Sequence, residues 1–139
     1  MSRIIVATIV GAITSFVLGF LIYGIALADF FAANVGTATG AFKETPELAP
    51  IFLGQLALAF LLTLVISKWG NSTSLAGGAK VGALFGFLVA LGYDLTLYGS
   101  TNTQNLTATL VDPVVTALLV CVTGAVIGMM LGWGKSSTA

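Results

Sequence analysis

Four long apolar stretches, with nearly every charge confined to the gaps between them, constrain this chain more than any motif does. They cover residues 4–28, 51–69, 81–99 and 113–133. Crossing a hydrocarbon core of about 30 Å takes about 20 helical residues, so each stretch is long enough to span. Only 7% of the 139 residues are charged and 58% are hydrophobic, a balance that cannot cover a water-facing surface but suits lipid. Backbone N–H and C=O groups cannot stay unpaired in lipid, and no stretch shows the alternation of a barrel strand, so the four must be helices. The expected fold is an all-α membrane protein, with residues 1–139 forming one integral membrane domain built as a four-transmembrane-helix bundle.

Local signals suggest where the helices begin and end. Asp112 followed by Pro113 reads as an N-cap and first-turn pair, because the carboxylate accepts orphan N–H groups and proline lacks one. Pro50 opens the second helix in the same way, with Thr45 and Pro46 as an earlier start, and Gly99 reads as the residue just past the third. Residues 70–78 then form a short flexible turn and residues 100–109 a polar loop. Residues 29–50 form a longer loop in which Phe30, Phe31 and Phe42 are interleaved with Gly, Thr and Ala. That loop either closes the bundle at headgroup level or folds back as a lid. Ala26, Leu27 and Ala28 ahead of Asp29 match a small-residue cleavage pattern. The apolar stretch before them is longer than an ordinary signal h-region, so a retained first helix is expected. The sequons at Asn71 and Asn105 are short patterns with little specificity.

Orientation follows from lysine and arginine placement. With a cytoplasmic N-terminus, Arg3, Lys68, Lys80 and Lys135 all fall inside and only Lys43 falls outside. Both termini are therefore expected in the cytoplasm. Trp69 and Trp133, each followed by glycine, anchor the cytoplasmic interface.

Three of the four helices carry small residues at every fourth position: Gly11, Ser15 and Gly19; Gly78, Gly82 and Gly86, then Ala90; and Gly124, Gly128 and Gly132. Lipid gives helices no hydrophobic reason to associate, so attraction comes from van der Waals contact, which small-residue rows permit by removing bulk along one stripe. Such stripes either pack the four helices together or form a subunit interface. Val10, Gly11, Ala12, Ile13 and Phe16 also align with Val81, Gly82, Ala83, Leu84 and Phe87, and the second and fourth helices share a Pro start and a Trp-Gly end. This pattern suggests a parallel two-helix repeat.

Composition removes most chemistries. With no histidine and one apolar cysteine, Cys121, the chain has no ordinary zinc site, no Ser/His or Cys/His pair and no intrachain disulfide. It contains no phosphate-binding or dinucleotide-binding fingerprint, and no basic tract for nucleic acid. No catalytic residue, cofactor or metal is expected, and the chain reads as a non-enzyme. The groups left to argue about are three aspartates. Asp94 lies about fourteen residues past Lys80, ~20 Å through the membrane at 1.5 Å per residue. A charge at the bilayer centre costs roughly 2.5–3.5 kcal/mol, so Asp94 must be paired, protonated or wetted. Asp29 ends the first helix, Asp112 opens the fourth, and Tyr23, Gln55, Tyr93 and Tyr98 fall at comparable depth. Together they form either a polar vestibule for a cation or proton, or separate caps and interface-level hydrogen bonds. The inner half offers no evident polar path.

Gly19, Tyr23 and Gly24, then Phe30 and Phe31, Lys68 and Trp69, Gly78, Ala79, Gly82 and Ala83, Asp94, Leu95 and Tyr98, and Asn105, Leu106 and Asp112 follow one another in a recognisable order. In this the chain resembles small four-helix bacterial membrane proteins grouped in families of unknown function. The resemblance implies a bacterial inner-membrane location and this helix count, and implies no activity.

Two functions remain open from the residues. One is a non-enzymatic structural unit that oligomerises, joins a larger membrane complex or binds lipid or a partner through its stripes. The other is a small transporter or channel in which Asp94 handles a cation or proton. The expected orientation has a direct check in a Cys121→Ala background. A membrane-impermeant maleimide added to intact cells should label Thr101→Cys, and should reach Ser72→Cys only after the membrane is broken; the reverse pattern would invert the topology.

Overall fold

The computed structural model describes residues 2–134. Helix α1 (Ser2–Leu21) continues through one π-helical turn, Ile22–Ala26, and is followed by a short helix, α2 (Ala28–Ala33). Helix α3 (Leu48–Leu64) likewise ends in a π-helical turn, Val65–Trp69. Helices α4 (Leu75–Ser100) and α5 (Leu106–Gly132) complete the chain. Four continuous helical segments, Ser2–Ala26, Leu48–Trp69, Leu75–Ser100 and Leu106–Gly132, are long and apolar enough to cross a membrane. Among the described residues there is no strand, only an isolated antiparallel bridge between Val35 and Gln104. Lys135, one of the basic residues assigned to the inner side, lies outside the described residues.

Three expected boundaries are corrected. The fourth spanning helix does not start at Asp112 and Pro113: α5 begins at Leu106, where Asn105 is the cap and its side chain accepts from Ala108 N at 3.0 Å. Pro113 sits inside the helix, where its missing N–H leaves the Thr109 carbonyl without its helical donor. Helix α4 begins well before residue 81, because Ser74 caps it by accepting from Gly77 N at 3.1 Å. Gly77 and Gly78, at the end of the expected turn, both lie within the helix, and Gly78 packs closely, in keeping with its place in the small-residue row. Gly99 is not past the end of α4 either. The Ser100 and Thr101 hydroxyls donate to the carbonyls of Thr96 (2.6 Å) and Leu97 (2.8 Å), which closes the helix without a left-handed glycine. Pro50 falls in the first turn of α3, where backbone N–H groups have no helical partner to lose.

The helices form a row more than a closed ring. Helix α4 packs along α5, α5 against α1, and α1 against α3, while α3 approaches α4 mainly through its terminal π-turn. Neighbours in the row are antiparallel. Gly78 meets Gly124 and Gly128, Gly11 meets Ile127, and the Phe16 and Phe52 rings stack edge to face with centroids 5.5 Å apart. Arg3 donates to the Gly134 carbonyl at 3.1 Å, so the start of α1 and the end of α5 share one end of the bundle.

Backbone contact holds α4 to α5. A methyl group built at Gly78 would lie 2.1 Å from the Gly124 carbonyl oxygen, and one at Gly82 would lie 2.3 Å from that of Val120. One at Gly128 would lie 2.3 Å from the Ser74 oxygen. The first-helix row is used differently: Ile127, fully buried, drives its side chain into the space beside Gly11. Ile127 packs there with Ala7, Leu62, Ile66 and Leu131 to form the apolar core. The opposite faces carry large bare side chains, including Ile5, Ile9, Ile13 and Val17 on α1 and Leu110, Val114, Leu118 and Val122 on α5. Those stripes suit acyl chains and would be a liability in water.

Substitution of these glycines should therefore be very unequal. Gly82→Ala and Gly124→Ala push a methyl into backbone that cannot yield, and each should cost at least about 2 kcal/mol in detergent unfolding measurements. Gly92→Ala, in open space on α4, should be neutral or gain up to about 1 kcal/mol from helix propensity.

Candidate functional site

The α4–α5 register carries the site. Helical small-residue rows advance by four, so Gly78 pairs with Gly128, Gly82 with Gly124, and Gly86 with Val120. The same step continued along both helices sets Ala90 opposite Thr116 and Asp94 opposite Asp112. Asp94 is buried at 4% exposure, and its carboxyl lies within hydrogen-bonding reach of the Asp112 carboxyl. Both lie ~9 Å along the helix from the end of the bundle that carries the 102–105 loop, at 1.5 Å per residue. Asp94 Oδ2 is fully enclosed and has no hydrogen-bond partner. Among the described residues the only ion pair is Lys43 with Glu47, on the exposed loop. Two carboxylates that touch without a donor between them repel unless a proton or a cation lies between them.

Polar neighbours organise the pair. Thr116 donates to Asp112 Oδ2 at 3.3 Å and shares a 2.9 Å hydrogen bond with the Tyr23 hydroxyl. Tyr23 sits in the π-helical turn of α1, which re-aims its ring toward α5. The Gln104 amide donates to the Asp94 backbone carbonyl (3.2 Å) and to the Thr109 hydroxyl (3.0 Å), and also approaches the Asp94 carboxyl.

Asp94, Asp112 and Gln104 floor a cavity of about 470 Å³ whose walls include Tyr23, Phe31, Phe42, Tyr93 and Leu97. Its cover is the segment after α2. Gly36 N donates to the Thr103 carbonyl (3.1 Å), Ala38 N to that of Asn102 (2.9 Å), and Asn105 N to that of Asn34 (3.2 Å). Asn105 Nδ2 also donates to Asn34 Oδ1 at 3.0 Å. Gly36 permits this crossing, since a methyl group there would fall 2.1 Å from the Asn102 oxygen. The 29–50 loop thus folds back over the bundle.

Of the residues singled out in the sequence, Asp94, Asp112, Tyr23 and Tyr93 line this cavity. Asp29 is exposed in the first turn of α2, Tyr98 is exposed on α4, and neither lines it. Gln55 lies elsewhere, in a narrow cleft of about 90 Å³ between α3 and α4 that also exposes Ser15, Thr116 and Thr123. Thr116 lines this cleft and donates to Asp112, so its hydroxyl stands between the carboxyl pair and the cleft. Sequence reasoning missed Thr116, Gln104 and Asn34. Thr116 was detectable, being one helical turn from Asp112; Gln104 and Asn34 act through a loop crossing that has no sequence period. Among the described residues no three His, Cys, Asp or Glu side chains come together to hold a metal ion.

Asp94→Asn tests what the carboxyl does for the fold. Its amide can donate to Asp112 where the carboxylate cannot, so detergent unfolding should show unchanged or higher stability, by about 1–2 kcal/mol. A loss of stability of that size would instead mark Asp94 as a structural group.

No protein-family model, curated protein or solved structure matches the chain, so its reading rests on the chemistry of the site itself.

Proposed function

We propose that this protein is a small, non-enzymatic membrane carrier or channel that takes up a proton or a monovalent cation at the Asp94–Asp112 pair. One observation carries the reading: the buried Asp94 carboxyl, one oxygen of which has no hydrogen-bond partner, lies beside the Asp112 carboxyl, and among the described residues no basic side chain pairs with either. Burying such a pair is costly unless something positive joins it. The reading as an oligomerising or partner-binding unit draws less support. The glycine rows that motivated it are taken up in contacts within one chain, Gly78, Gly82 and Gly86 against α5 and Gly11 against Ile127.

In this proposal Arg3, Lys68 and Lys80, which gather at one end of the bundle, face the cytoplasm of a bacterial inner membrane. The acidic cavity then opens outward. Gly11 approaches Ala59 of α3 as Gly82 approaches Gly124 of α5, the correspondence that the suggested two-helix repeat would leave.

Purified protein reconstituted into liposomes gives the test, with proton, sodium, potassium and cationic-dye movement followed under an imposed gradient. Wild type should exceed empty liposomes for at least one species, and Asp94→Asn or Asp112→Asn should cut that rate about tenfold or more. Rates equal to those of empty liposomes for every species would end the proposal.

A further inference from the structure

The geometry points to an organic ammonium ion as the ligand of the cavity beneath the 34–42 segment, held by Asp94 and Asp112 and walled by Tyr23, Phe31, Phe42 and Tyr93. The inference rests on the reading of the carboxyl pair as a cation site and names the class of cation.

Size comes first. A space of about 470 Å³ falls within the range of small-molecule pockets and far exceeds what a proton or a bare alkali ion needs. The walls come second. Hard divalent cations demand six or more oxygen ligands, whereas this cavity offers two carboxyls and the neutral side chains of Asn34, Thr103 and Gln104 among aromatic and aliphatic groups, and among the described residues no third acidic group joins them. Aromatic faces, by contrast, attract cations whose hydration shell is weak, as in alkylated ammonium groups. Two of the rings, Tyr23 and Phe31, are also held in position. Tyr23 is tethered through its hydroxyl to Thr116, Phe31 lies 5.2 Å from it, and Phe30 packs edge-on against Phe31 at 5.2 Å.

Charge comes third. A carboxyl pair sharing one proton has a net charge of minus one and matches a monocation; an anion would meet repulsion. Among the described residues none supplies such a cation: Lys43 on the neighbouring loop is engaged by Glu47. Asp94 and Asp112, side by side in the cavity lining, supply the negative charge that faces the ammonium head while the rings take up its substituents.

Equilibrium binding of radiolabelled choline and tetraethylammonium to the full-length protein in non-ionic detergent provides the test. The competitor is the uncharged choline isostere in which a tert-butyl group replaces trimethylammonium. At least one of the two cations should bind saturably, and the neutral isostere should compete with choline about tenfold or more weakly. Asp94→Asn should lower affinity about tenfold, and Phe42→Leu, an exposed loop substitution that leaves the helices untouched, about threefold. Failure to bind either cation, in protein whose proton or alkali-ion flux still depends on Asp94, would overturn the organic class and leave the cation site standing. Binding indifferent to both substitutions, or equal binding of the neutral isostere, would also overturn it. Absence of both binding and Asp94-dependent flux would remove the site with it.

Discussion

Direct backbone contact between α4 and α5 is the constraint on which the rest of the molecule depends. In lipid nothing pushes two apolar helices together, so they must gain by touching closely. Glycine at residues 78, 82, 124 and 128 removes the side chains that would keep them apart, and carbonyl oxygens come to rest where methyl groups would otherwise stand. A contact so close tolerates one register. That register brings Asp94 of one helix to Asp112 of the other, a juxtaposition neither helix specifies alone.

The remaining helices build on this pair. Ile127 fills the space beside Gly11, which places α1 along α5 and brings the Tyr23 hydroxyl to Thr116. Helix α3 is held mainly by α1, and its weak contact with α4 leaves the cleft in which Gln55 and Thr123 remain. At the acidic end, the segment around Gly36 crosses the 102–105 loop through backbone hydrogen bonds and covers the carboxyls. The two ends of the bundle thus differ in chemistry: apolar and glycine contact fills the basic half, while the covered end carries a carboxyl pair whose burial is costly unless something positive joins it.

Reading the fold from the sequence worked where one physical rule dominated. The four apolar stretches had to be helices because lipid leaves no other way to satisfy their backbones, and four helices of spanning length are present. Helix ends were less legible. Pro113 looked like a start, yet Asn105 and its bond to Ala108 N set the cap a full two turns earlier. Gly78 falls both in the expected turn and in the small-residue row, because glycine signals flexibility and close approach with the same letter. Asp94 is legible in the sequence as costly in lipid, whereas its partner follows only from the register in which α4 meets α5. Asp94 occupies the next step of the row Gly78, Gly82, Gly86 and Ala90, just as Asp112 and Thr116 precede Val120, Gly124 and Gly128.

What the chain's letters decided by themselves was the solvent and the number of rods, because hydrophobicity and backbone hydrogen bonding are local properties that every residue reports separately. Which of three aspartates meet, and what surrounds them, was decided only by packing. Asp29, Asp94 and Asp112 look alike in one dimension, but a side chain's neighbours across a helix interface depend on register, crossing and the bend of a loop. Those are set jointly by residues far apart in the chain, so the Asp94–Asp112 pair and its aromatic cover exist only in three dimensions.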